Sequence, residues 1–300
     1  MAQDRLNPLN DYLFLKVMGE KGDEEQLRAF LNAVLGREGP EAIETVEIIE
    51  NRTAAAEVAG DKTSILDVRA RTGGGERVAI EVQLKNLGNM DRRSLFYWSR
   101  EFSRGMEAGQ DYREVPNVIA INIVNYRFLP EVAEFHTSFH IREDTHREVL
   151  LTEALEIRFI DMVKFRRAER DIRKEPLHRW LTWLDRESPW SLVEEVVKMD
   201  AGIRKAEERL AHVTGDKEVL RAYQMREMAL SDWTSGLNHA REEGEQKGEQ
   251  RGRLEGLREG RLEGRIEGQR EVAARMKKRG VPAGQIAEDT GLSAEDIAKL

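Results

Sequence analysis

The stretch Ser64-Ile65-Leu66-Asp67-Val68-Arg69-Ala70, the turn Thr72-Gly73-Gly74-Gly75 and the run Arg77-Val78-Ala79-Ile80-Glu81-Val82-Gln83-Leu84 read together as a β-hairpin. Both arms are short and rich in β-branched residues, and glycines punctuate the turn between them. Side chains two apart on a strand share a face. Glu81 and Gln83 therefore point the same way as Ala79, while Val78, Ile80, Val82 and Leu84 form a fully apolar opposite face. Asp67 and Glu81 are expected at one end of a sheet, on the face away from the main core. Two neighbouring carboxylates in a partly dry cleft repel each other, and folding tolerates them when a hard divalent cation compensates. The residues alone equally allow an exposed hairpin in which these acids pair with Arg69 or Arg77.

Outward from the hairpin, Asn10 is placed to cap Asp11 to Met18, and a second helix runs from Glu24 to Leu35 and stops at Gly36. Ile43 to Ile49 suits a first strand. The apolar run from Asn117 to Val124 suits a strand buried on both faces, and strand-like pieces follow near 135–142 and 157–162. Between hairpin and buried strand, a helix is expected from about Met90 to Ala108. Arg93, Tyr97, Arg100 and Arg104 share a stripe on it, with Leu95, Phe96, Phe102 and Met106 on the other side. The apolar side is expected to cover the sheet, and the basic stripe to line a groove that contacts phosphates. The same stripe also reads as a solvated face paired with Glu101 and Glu107. The order α, β, β, β, α, β predicts an α/β fold with a mixed sheet flanked by helices.

Several function classes are excluded by composition. The chain of 300 residues has 40% hydrophobic residues, no cysteine and a net charge of −8. There is no disulfide framework, thiolate nucleophile or Cys-ligated zinc. No stretch approaches the ~20 apolar residues of a membrane span, and Met1 to Arg5 lacks a secretory apolar region, so a cytoplasmic location is expected. The acidic balance argues against nonspecific coating of nucleic acid but allows a local basic groove. Gly73-Gly74-Gly75 has no helix after it and is no phosphate-binding loop; His136 and His140 read as solvated or hydrogen-bonded surface residues.

Asp11-Tyr12-Leu13-Phe14-Leu15-Lys16, Lys62-Thr63-Ser64-Ile65-Leu66-Asp67-Val68, Ile80-Glu81-Val82-Gln83, and then Arg93 and Tyr97 resemble the recombination-promoting nuclease and putative transposase group of PD-(D/E)xK nucleases. The resemblance runs over most of residues 5 to 165. It implies a restriction-endonuclease-like αβββαβ core with a mixed central sheet, followed by a helical C-terminal region, and a DNA endonuclease that uses magnesium, or manganese in its place. By that resemblance Asp67 and Glu81 are metal ligands, joined by the Val82 carbonyl, and Asp11 is a third acid. Gln83 stands where the superfamily formula has lysine; its amide can orient water or phosphate but brings no charge. Arg93, Tyr97, Arg100 and Arg104 would then face DNA. The alternative from a different class is a nuclease-fold binding or assembly protein whose catalysis has lapsed and which acts through its tail.

After this core, taken as residues 1–165, a helical extension is expected over 166–235, with Trp180, Trp183 and Trp190 as packing residues. In the segment 236–271 glycine recurs every fourth residue from Gly244 to Gly268, with Glu and Arg filling most gaps. Each glycine costs a helix about 1 kcal/mol relative to alanine, so the repeat reads either as a solvated, fraying linker or as a close helix contact that makes a homo-oligomer. Residues 272–300 read as a small helix-turn-helix-like element: a short helix from Val272 to Arg279 ended by Gly280, a second from Ala283 to Asp289 ended by Gly291, and a third capped by Ser293. Glu295 and Asp296 on its last helix suit docking better than reading DNA.

Overall fold

The computed structural model describes residues 5–50 and 68–300. Asp67 and the rest of the first hairpin arm up to it lie outside the described residues. The described chain divides into two compact units, 1–230 and 231–300.

In the first unit, helices α1 (Asp11–Met18) and α2 (Glu25–Leu35) precede the sheet. Asn10 caps α1 by accepting from the amides of Tyr12 and Leu13, and Gly36 ends α2 in the left-handed conformation. Strands β1 (Val46–Glu50), β2 (Val68–Thr72) and β3 (Arg77–Gln83) are antiparallel neighbours. The β2–β3 turn demands its glycines. Gly75 has φ +89°, and a Cβ on Gly73 would sit 2.4 Å from Thr45 Oγ1. Helix α3 (Met90–Arg104) then crosses over to β4 (Val118–Val124), which lies parallel to β3. Strands β5 (His136–Phe139) and β6 (Leu155–Asp161) complete a six-stranded mixed sheet of order β1-β2-β3-β4-β6-β5, with β6 parallel to β4.

The two faces of this sheet have different cores. Val78, Ile80 and Val82 join α1, α2, the short α4 (Met162–Phe165) and the later helices α5 (Pro176–Leu184), α6 (Trp190–Met199) and α7 (Ala201–Thr214) in the larger one, with Trp180 and Trp183 fully buried. Met90 of α3, Ala120, Val124, Leu155, Ile157 and Phe159 form the smaller one. Trp180 and Trp183 are therefore packing residues as expected, whereas Trp190 is 38% exposed and its indole donates to Glu194 instead of entering the core. His136 departs from the expected surface histidine: burial holds it well below the ordinary range, at about 4, and its Nε2 has no partner among the described residues.

Helix α3 turns a different side to the sheet from the one its hydrophobic residues suggest. Leu95 and Phe96 are 51% and 56% exposed, whereas Met90, Ser94 and Glu101 are buried. The reason lies in the strands beneath. The α3 side of β2 and β3 presents Arg69, Arg77 and Glu81, so the helix answers with Glu101 and Arg93 rather than leucine and phenylalanine. Glu101 accepts from Arg69, Arg77 and Arg104, each at 3.0 Å.

Helix α8 spans Lys217–Lys278 and contains the whole glycine repeat. Val272 to Arg279, expected as a separate short helix, belongs almost entirely to α8. Within the second unit a Cβ at any repeat glycine would meet nothing within 4 Å. Helices α9 (Ala283–Thr290) and α10 (Ala294–Ala298) fold against α8 through Ala273, Ile286 and Ile297, with Gly291 left-handed after α9 and Ser293 capping α10.

Candidate active site

Glu81 lies on β3 beside Asn122 of β4, on the α3 side of the sheet. It is 6% exposed, and Arg93 Nε donates to its Oε1 at 2.5 Å. Its Oε2 is buried and has no hydrogen-bond partner among the described residues. Burial pushes the Glu81 carboxyl above the usual carboxylate range, against the pull of the Arg93 guanidinium. Glu81 pairs with Arg93 and not with Arg69 or Arg77, both of which bind Glu101. Glu81 is thus a buried acid with half of its acceptor capacity unspent, which is the donor a divalent cation requires.

The first described residue of β2, Val68, pairs with Ile80, which adjoins Glu81. Asp67, its expected partner acid, precedes Val68 in the chain and lies outside the described residues. No group of three or more His, Asp or Glu side chains suited to a metal occurs among the described residues.

Gln83 and Val82 line a cleft of about 190 Å³ with Asn10, Asp11, Lys85 and Arg226. The Gln83 amide donates to the Lys85 carbonyl at 2.9 Å, which directs Nε2 along the chain and leaves its oxygen to accept. Asp11 opens α1, where an acid complements the helix dipole, and its Oδ2 accepts from Arg226 Nη1 at 2.8 Å. The cleft therefore brings Asp11, Val82 and Gln83 together. Lys85 donates to the Ala229 carbonyl at 3.2 Å across the same cleft.

On α3, Arg93 stacks over the Tyr97 ring at 5.3 Å and Arg100 over Phe96 at 5.7 Å. Arg104 is bound to Glu101. The four residues of the stripe thus have unequal surroundings: Arg93 reaches the acid, and Arg104 belongs to the buried ion network.

Three neighbours went unread in the sequence. Ser94 donates to Asn122 Oδ1 at 2.9 Å, fastening α3 beside Glu81. Tyr126 follows β4, and its phenol is pushed up to about 12 by burial and by the Glu81 charge. A tyrosine just beyond the apolar run was the available signal. Arg226 carried none, since it lies 215 residues from Asp11.

A family model described as PD-(D/E)XK nuclease family transposase matches residues 8–240. No curated protein and no solved structure matches the chain. The matched span contains α1, the whole sheet, α3 and the Glu81 site. The chain belongs to the PD-(D/E)XK nuclease family transposases.

Proposed function

We propose that the protein is a metal-dependent DNA endonuclease that hydrolyses phosphodiester bonds in recombination or transposition, with Glu81 and Asp67 as ligands of magnesium. The single observation that supports this most is the unpartnered, buried Oε2 of Glu81, a desolvated anion that the fold leaves unsatisfied. A divalent cation, when bound, lowers the pKa of its water and neutralises charge on the scissile phosphate.

The chain's own residues do the rest. Arg93 holds Oε1 and so fixes the direction of Oε2. Arg93 is itself held over Tyr97, which limits how far it can follow a phosphate. Gln83 keeps an acceptor oxygen at the mouth of the cleft, where it orients a water without contributing charge. Asp11 and the Val82 carbonyl are the remaining proposed donors; Asp11 and Val82 line the cleft on the α1 side, whereas Glu81 faces α3 and is not part of that lining. Tyr126 stays a neutral phenol at any physiological pH, so it can donate a proton in a hydrogen bond beside Glu81 without adding negative charge.

The test is cleavage of supercoiled plasmid by the full chain with magnesium, with calcium and with chelator, beside Asp67→Ala. Nicking or linearisation with magnesium alone, lost in Asp67→Ala while its circular dichroism matches wild type, is the expected result. Absence of cutting under all three conditions would reject the endonuclease reading.

A further inference from the structure

Two of the four α3 stripe residues are committed to carboxylates, Arg93 to Glu81 and Arg104 to Glu101. A duplex at the Glu81 site needs cations elsewhere, and the sheet supplies them at one edge. Strands β3, β4 and β6 are parallel, with Gln83, Val124 and Asp161 in register, so the chain leaves all three at the same edge.

There, the loop after β4 and helix α4 with the turn that follows it line a cavity of about 330 Å³ whose residues include Arg127, Glu131, Lys164 and Arg167. Lys164 is structural. Its ammonium donates to the carbonyls of Leu129 and Glu134 and lies 3.9 Å from Asp161, tethering a loop whose Leu129 is left-handed at φ 50°. Arg127 gives one donor to the Pro130 carbonyl and is otherwise exposed, and Arg167 is exposed with no side-chain partner among the described residues. With Lys164 matched by Asp161, Arg127 and Arg167 against the one lining acid Glu131 leave this rim positive.

We propose that Arg127 and Arg167 grip the phosphate backbone of duplex DNA to one side of the Glu81 site. The proposal rests on the nuclease reading and gives that site a substrate track. Neighbouring strands are about 4.8 Å apart, so β6 lies roughly 10 Å from β3 along the edge. That span corresponds to about three nucleotides, at ~3.4 Å of helix axis each. The rim therefore engages phosphates flanking the one to be cut, and it fixes register without reading sequence.

The experiment measures binding of a labelled duplex by the full chain across a salt series, with calcium in place of magnesium. Arg167→Gln, the double variant Arg127→Gln/Arg167→Gln and Arg113→Gln are compared with wild type. Arg113 precedes β4, at the opposite end of the parallel strands, and serves as the control. The double variant is expected to bind roughly tenfold more weakly at moderate salt and to lower the salt slope by about 2, with Arg167→Gln alone accounting for about 1. Arg113→Gln is expected to match wild type. Wild-type binding with unchanged slope and affinity in both Arg167→Gln and the double variant would overturn the track while leaving the nuclease reading intact. Equal losses in Arg113→Gln would reduce the effect to net charge and overturn it too. A wild-type chain that fails to bind duplex at all would overturn both readings.

Discussion

Glu101→Ala is expected to lower the unfolding midpoint by roughly 10 °C or more, the largest stability effect of any single substitution near the site. Glu101 has a 3% exposed side chain and is the common anion of Arg69 on β2, Arg77 at the start of β3 and Arg104 on its own helix. Arg69 and Arg77 are themselves 11% and 14% exposed, so neither can swing fully into water. Removing one partner of a buried ion pair costs about 3–5 kcal/mol, because the remaining charge is left uncompensated. Here the buried Arg77, whose Nε already has no hydrogen-bond partner among the described residues, would lose its carboxylate and be left beside the guanidinium of Arg104. At about 2–4 °C per kcal/mol for a unit of this size, the shift is well above measurement error. Arg104→Ala removes only the more exposed partner and is expected to cost under about 1 kcal/mol. Thermal unfolding followed by circular dichroism distinguishes the two, and an alanine at 101 no worse than one at 104 would show that the node does not hold α3 to the sheet.

Glu81→Gln is expected to have opposite effects on activity and stability. Magnesium-dependent plasmid cleavage should fall by about 10³-fold or more, equivalent to about 4 kcal/mol of transition-state stabilisation. Stability should rise at neutral pH. The folded-state pKa of Glu81 is raised, so between the ordinary carboxylate value of about 4.3 and that higher value the native state binds more protons than the unfolded state. Stability of the wild type thus declines as pH rises through that window, and the cost is present in full above it. The glutamine variant lacks the term. Its advantage over wild type should widen as pH rises through that window and should close as pH falls towards 4. Denaturant unfolding at several pH values reads this directly; a variant less stable than wild type at pH 8 would mean that Arg93 more than repays the burial of Glu81.

Much of the fold was legible because the apolar pattern of each strand agreed with its neighbours. Val78, Ile80 and Val82 reach the larger core while Glu81 faces α3, as period-two alternation requires. The caps at Asn10, Gly36, Gly291 and Ser293 lie where their residue types point. Helix α3 was misread for a physical reason: periodicity locates a hydrophobic stripe but cannot reveal that the underlying strands present guanidiniums. Once Arg69 and Arg77 occupy that face, Glu101 is the side chain it demands, and Leu95 and Phe96 are left outside. The acid of the site was legible from Glu81-Val82-Gln83. Its surroundings were not, because Asp11 with Arg226, and Glu81 with Tyr126, meet only through tertiary structure.

Glu81 and Asp67 are proposed to hold one divalent cation, and manganese binding followed by electron paramagnetic resonance tests this without reference to cleavage. The full chain is expected to take up manganese stoichiometrically, to release it to excess magnesium, and to lose it in both Glu81→Gln and Asp67→Asn. Manganese binding that survives both substitutions unchanged would contradict the account and place the metal elsewhere.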